Sequence, residues 1–315
     1  MSKRVIAKLE NLTHEEWLEL RRTGIGGSDC AAALGLSKWQ SQLGLWLDKI
    51  GQGKPVEETE SMYWGKIFEN ILLTEFSKKT GKKAERCPFM FQSVEYPFML
   101  ADLDGIVREP DGSTSIIEIK TANAFAVNDW TDGVPLQYLL QLNHYFSVTG
   151  LRRGYLVVLI GGNNFQIHEI EPDEEIINNI IALEHDFWQK VVTKTQPEVD
   201  AQSGEALNTM YPSANNTSVM LSDEADSIID DYINLKAIED DVKAKKAELE
   251  NKLKSMLGQA ELGKSKSGFT VKWSNSTSKR VDTTAMKKDV PELVAKYTKE
   301  STSRRFSVTA PKEEK

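Results

Sequence analysis

The chain has 315 residues, 40% hydrophobic and 27% charged, with a net charge of −8, the composition of a folded globular protein rather than a disordered one. No run approaches the roughly 18 consecutive apolar residues of a spanning helix, and the start, Met1-Ser2-Lys3-Arg4, meets Glu10 before any apolar stretch, unlike a secretory leader. Two cysteines, Cys30 and Cys87, are too few for a disulfide framework, a structural zinc site or a four-cysteine cluster.

Thr13 predicts the cap of a helix over 13–22, with Glu15 and Glu16 in its first turn and Trp17, Leu18 and Leu20 along it. The glycine-rich turn Gly24-Ile25-Gly26-Gly27-Ser28 then leads into a short helix over 29–34. Further helices are predicted over 41–50 and 60–80, the second stopped by Gly81. Strands follow over 87–108 and 115–120, joined by a Pro110-Asp111-Gly112 turn. An amphipathic helix over 135–149, strands over 151–160 and 165–170, and a helix over 173–192 complete an α+β (α/β/α) pattern, a mixed central sheet flanked by helices.

From about 196 to 221 the chain turns rich in Pro, Ser, Asn and Thr and loses periodicity, so the expected map is a domain over 1–200, a linker over 201–221 and an extension over 222–315. Ser222 is expected to cap a helix running to Leu257 and stopped by Gly258, about 54 Å long, whose apolar residues recur in steps of three and four. Such a helix suits an oligomer contact. Residues 264–305 hold eleven Lys or Arg against four Asp or Glu, around a strand-like Phe269-Thr270-Val271-Lys272-Trp273. That basic segment on an acidic body suits local contact with phosphate.

Chemistry gathers at Asp104 and Glu118-Ile119-Lys120. If Glu109 faces Ser113 across the tight turn, Asp104 falls opposite Glu118, and Glu118 and Lys120 share one strand face. Two carboxylates, the Ile119 carbonyl and one ammonium suit a hard cation, Mg²⁺ with Mn²⁺ as substitute, and metal-assisted phosphodiester cleavage. Alone, Glu-x-Lys is a weak signal.

The surrounding segments make the pattern specific. Trp17-Leu18-Glu19-Leu20-Arg21-Arg22, Ile25-Gly26-Gly27-Ser28-Asp29, Trp64-Gly65-Lys66-Ile67-Phe68-Glu69, Asp104-Gly105, Glu118-Ile119-Lys120, and Gln141 with Tyr145 occur in one order over residues 13–195. In this the chain resembles the YqaJ-type viral recombinases, relatives of phage λ exonuclease in the PD-(D/E)XK nuclease superfamily. The resemblance implies Asp104, Glu118, Glu69 and the Ile119 carbonyl as metal ligands and Lys120 as the catalytic lysine. It adds Gln141 and Tyr145 to the catalytic set and implies Arg21 and Ser28 as holders of a terminal 5′-phosphate. His144, beside them, reads as structural. Three positions depart from the λ pattern: Asp102 stands where a serine is expected, Leu103 where a proline is expected, and Ala126 where a phosphate-binding arginine is expected. An added acid and a missing arginine weaken the case for strict dependence on a 5′-phosphate.

The resemblance implies a Mg²⁺-dependent exonuclease acting on duplex DNA ends, 5′ to 3′, in a bacterial host cytoplasm. It would be phage or prophage encoded and leave 3′ tails for a single-strand annealing partner. Two other readings stay open: a RecB-like or structure-specific endonuclease, and a non-catalytic recombination adaptor that binds DNA through its basic tail.

Overall fold

The computed structural model describes residues 2–55, 57–300 and 302–309. The chain divides into two units, Met1–Tyr211 and Pro212–Lys315. The first unit opens with strand β1 (Lys3–Lys8), helix α1 (His14–Arg22), the two-residue strand β2 (Ile25–Gly26) and helix α2 (Gly27–Ala33). Helices α3 (Gln42–Lys49) and α4 (Glu60–Thr80) lead into strands β3 (Lys83–Arg86), β4 (Phe89–Ser93), β5 (Met99–Asp102), β6 (Gly105–Arg108) and β7 (Thr114–Ala122). After a 3-10 turn (Ala124–Trp130) come helix α5 (Leu136–Thr149), strands β8 (Gly154–Ile160) and β9 (Asn164–Ile170), and helices α6 (Glu174–Thr193) and α7 (Gly204–Met210).

Local chemistry fixes most of these boundaries. Thr13 closes a capping box with Glu16 on α1, Ser41 caps α3 and Thr59 caps α4. Gly81 and Gly150 end α4 and α5 in the left-handed conformation, at φ of 72° and 71°. In the turn after β6, Gly112 takes φ of 84° and Glu109 N–H donates to the Ser113 carbonyl. Gly105 then pairs with Ile117 and Arg108 with Thr114, as the hairpin argument requires.

Two sheets result. The larger has the order β3-β6-β7-β8-β9, antiparallel except for β7 and β8, which run parallel and are joined through α5. The smaller has the order β1-β4-β5-β2. Five consecutive residues of β7, Ser115 to Ile119, are buried, as expected of a strand covered on both faces. One cover is α4, through Leu72, Leu73 and Phe76; the other is α5, through Leu142 and Phe146.

Two sequence expectations are corrected, and one strand is added to them. Strand β1, paired antiparallel with β4, was not anticipated. Helix α7 forms inside the expected linker because Ala206, Leu207 and Met210 pack against the cluster of Leu43, Leu45 and Trp46. The long helix α8 (Glu224–Leu257) begins after Asp223, with no side-chain cap, so Ser222 does not cap it. The second unit continues through the hairpin β10 (Leu262–Lys264) and β11 (Thr270–Lys272) to helices α9 (Thr283–Asp289) and α10 (Pro291–Tyr297). No helix among the described residues is long and apolar enough to cross a membrane.

Candidate metal and active site

Strand β6 begins only at Gly105 while its antiparallel partner β7 runs on to Ala122, so the last residues of β7 face the bend that carries Asp104. Asp104 uses this gap: its Oδ2 accepts from the Ile119 N–H at 2.7 Å. The N–H and C=O of one strand residue point to the same edge, so the Ile119 carbonyl faces the same gap. Glu118 and Lys120 flank Ile119, and the Lys120 Nζ lies 2.6 Å from the Glu118 Oε1. That oxygen also accepts from the Gln141 Nε2 at 2.6 Å.

The other oxygen of Glu118, Oε2, is buried without a hydrogen-bond partner. The residue is 2% exposed, so an uncompensated charge there is costly. Burial and the neighbouring Asp104 push the Glu118 carboxyl up to about 8. Burial also raises Asp104, against the pull of Lys120 and the Ile119 N–H. Glu69, on α4, is pushed up to about 7 by burial, Asp104 and Asp102, against the pull of Arg86 and Lys120. Burial works against the Lys120 charge, but Glu118 and Asp104 outweigh it and raise its pKa. Three carboxyls that favour a proton, beside one orphaned oxygen, mark a place short of positive charge.

The carboxylates do not close on one point. Among the described residues, the one group of three His, Cys, Asp or Glu with ligand atoms within 4.8 Å of one another is Cys30, His144 and Glu184. Glu118 is held by Lys120 and Gln141, and Glu69 lies 3.5 Å from Arg86, which leaves the Glu69, Asp104 and Glu118 set more open. The compact group is a structural staple. His144 Nε2 meets the Leu100 carbonyl and Nδ1 meets Glu184, each at 2.8 Å. A carbonyl only accepts, so Nε2 carries a proton and the ring ties α5 to β5 and α6.

Gln141 and Tyr145 lie one turn apart on α5, behind the carboxylates. The Gln141 Nε2 donates to the Tyr145 hydroxyl at 3.0 Å, and that hydroxyl donates to the Asp102 carbonyl at 2.9 Å. Tyr145 is 3% exposed, so it holds the β5–β6 bend rather than facing solvent. Gly27 makes room for its ring, since a Cβ there would meet Tyr145 ring carbons. Asp102 turns its own carboxylate toward Trp17, accepting from the indole N–H at 2.9 Å.

Arg21 and Ser28 do meet, at 2.7 Å, but in the company of Asp29, 2.8 Å from the same guanidinium nitrogen. Asp29 also accepts from the Lys49 Nζ at 2.7 Å and from the Gly26 N–H at 3.1 Å. Burial opposes its charge, yet Arg21 and Lys49 hold its carboxyl far below the usual range. The Gly26 N–H, a main-chain donor that an anion at the glycine turn could use, is thus already taken by Asp29. Ala126 lies in the 3-10 turn and brings no charge. Lys49 was missed: it lies 20 residues from Asp29 and no local pattern pairs them. Arg86 was also missed; on β3 it faces Glu69 and pulls weakly against the burial that raises the Asp102 and Asp104 carboxyls.

Residues 16–152 match the family model described as a YqaJ-like viral recombinase domain. The protein YqaJ of Bacillus subtilis (strain 168) is 37% identical over 313 residues, 96% of this chain and 97% of that one. Among solved structures, an alkaline exonuclease from Laribacter hongkongensis matches with a TM-score of 0.48 at 20% identity, over 57% of this chain and 93% of that chain. A phage-related exonuclease from Haemophilus somnus 129PT matches with a TM-score of 0.43 at 11% identity, over 56% and 99%. With over a third of its residues shared along almost the full length of the Bacillus protein, the chain belongs to the YqaJ family of viral-recombinase-like proteins.

Proposed function

We propose that the chain is a divalent-metal-dependent deoxyribonuclease that hydrolyses duplex DNA from its ends. The observation that carries this reading is the orphaned Oε2 of the buried Glu118, among carboxyls held at raised pKa beside Lys120. Glu118, Asp104, Glu69 and the Ile119 carbonyl supply oxygen donors only, the set that suits Mg²⁺ or Mn²⁺. The metal, when bound, neutralises phosphate charge and lowers the pKa of a coordinated water.

Around it, the protein's own groups have separable tasks. Lys120 offers an ammonium to the scissile phosphate or to the attacking water and offsets charge that grows in the transition state. Gln141 fixes the orientation of Glu118, and Tyr145 fixes the Asp102–Asp104 bend. Arg21, paired with Ser28 and backed by Asp29 and Lys49, is a rigid fork for a DNA phosphate. Because Asp29 and Asp102 already balance much of that positive charge, the reading includes 5′ to 3′ polarity with loose dependence on a 5′-phosphate. The product would be a 3′ single-stranded tail for an annealing protein, and the basic 264–305 segment would add contact with DNA.

The test is digestion in Mg²⁺ of linear, nicked and closed circular duplex, with 5′ and 3′ ends labelled separately. End-dependent loss of the linear form with the closed circle spared supports the reading. Cutting of the closed circle would replace it with an endonuclease, and a salt-sensitive shift with no hydrolysis in any divalent metal would replace it with a DNA-binding adaptor.

A further inference from the structure

A cavity of about 440 Å³ opens between the two sheets of the first unit, walled by residues of β1, β3, β4 and β6. Its floor is apolar. Phe89, Phe91, Leu103 and Ile106 line it, with the ring centres of Phe89 and Phe91 6.4 Å apart. Its rim is cationic, with Lys3, Arg86 and Arg108 set against Glu85. Glu85 is already shared by Arg108 at 3.0 Å and Lys83 at 3.1 Å. Arg86 reaches an acid only at 3.5 Å, the Glu69 carboxylate, and keeps 63% of its side chain exposed. Lys3 has no ion pair among the described residues, and its ammonium lies 4.7 Å from the centre of the Phe91 ring. Burial lowers its pKa, against a weaker pull from Cys87. An ammonium drawn onto an aromatic face and left without a counter-ion favours an incoming anion.

We propose that this cavity docks a flexible acidic peptide of another protein, with one aromatic side chain on the Phe89–Phe91 floor and carboxylates on Lys3 and Arg86. The rim charge selects an anion, and the floor selects which one. A nucleobase would set its polar edge against phenylalanine, leucine and isoleucine side chains, which cannot pair it. A phenylalanine side chain brings no polar atom and packs on the two rings already there. Lys3 and Arg86 then give the charge-assisted contacts by which acidic motifs are held. A cavity of this size takes a side chain or two, so the occupant is a short extended segment rather than a folded face.

The cavity adjoins the candidate site without being part of it. Leu103 lies between Asp102 and Asp104, and the Cys87 N–H donates to the Asp104 carbonyl at 3.4 Å. A docked segment therefore rests against the bend that carries Asp104 and tethers its protein beside the carboxylates. This inference goes beyond the nuclease reading and does not depend on it, because it uses only the walls and charges of the cavity.

The test uses the full chain in EDTA, where no hydrolysis is required, and two fluorescein-labelled peptides: Gly-Ser-Asp-Asp-Asp-Asp-Phe and its counterpart ending in Ser. Fluorescence anisotropy should show saturable binding of the first peptide and at least about tenfold weaker binding of the second, as expected when one buried aromatic anchor is lost. Lys3→Glu should weaken the first peptide by at least about tenfold, and Lys3→Arg should restore it, since charge reversal removes a charge-assisted contact. Arg86→Ala, at an exposed side chain, should shift binding in the same direction, and thermal melting checks that each variant is folded. No binding of the first peptide, equal binding of both peptides, or binding unchanged in Lys3→Glu and Arg86→Ala would overturn the proposal. Displacement by thymidine monophosphate as readily as by unlabelled peptide would make the cavity a nucleotide site and overturn it as well.

Discussion

The Gln141 amide donates to the Glu118 carboxylate at 2.6 Å, on the same oxygen that Lys120 engages. This bond couples helix α5 to the central strand at the point where the sheet opens. It turns one oxygen of Glu118 inward, and under the proposed function Gln141 is a positioning residue whose loss should be felt in turnover.

Gln141→Leu removes the donor while roughly keeping the volume. We expect turnover to fall by about 10- to 100-fold, the usual cost of losing the support of a metal ligand, with KM for DNA little changed. Steady-state digestion of a labelled duplex separates the two constants. An equal rise in KM with no change in kcat would place Gln141 in DNA binding instead.

Lys120→Ala and Asp104→Asn should each lower hydrolysis by at least about 100-fold, in line with the loss of a group that stabilises transition-state charge. Folding should survive. Thermal melting followed by circular dichroism checks that the loss is chemical rather than structural.

The raised carboxyls make metal-free stability depend on pH with a definite sign. Glu118 ordinarily titrates near 4.5 and is pushed up to about 8 in the fold, so between these values the native state holds more protons than the unfolded one. Stability conferred by the protonated form is complete below about 4.5 and is lost as pH rises toward 8. In EDTA, the melting temperature should fall over that window, and Glu118→Gln should flatten the fall. Mg²⁺ should restore stability at the upper end, and its binding should release protons, measurable by calorimetry in buffers of different ionisation enthalpy.

Asp29 holds two cations, and Lys49 has 1% of its side chain exposed. Asp29→Ala leaves the Lys49 charge buried without its carboxylate and should cost about 3–5 kcal/mol in chemical denaturation. Arg21→Ala keeps the Asp29–Lys49 pair and should cost less, while weakening the use of DNA ends. Comparing ends with and without a 5′-phosphate reads the second effect.

Much of the site was legible because its logic is local. Pro110-Asp111-Gly112 fixed the hairpin register, and that register set Asp104 beside the strand that bears Glu118 and Lys120. The turn could not reveal that Asp104 sits on a bend and accepts from the Ile119 N–H, since that depends on where β6 begins. Lys49 and Arg86 reach the site through tertiary packing, and neither lies at a helical or strand interval from its partner. Strand β1 carries Lys3, Arg4 and Lys8 at an edge, with no buried residue to betray it. Helix α7 has seven residues and gains its order from contacts with α3 rather than from its own propensity.

The most direct test of the central claim is release of nucleotides from a linear duplex by the unmodified chain and by Glu118→Gln, each in Mg²⁺ and in EDTA. The unmodified chain should release nucleotides only in Mg²⁺, and Glu118→Gln should fail in both while melting as a folded protein. Equal release by the two proteins, or release undiminished in EDTA, would contradict a metal-dependent site built on Glu118.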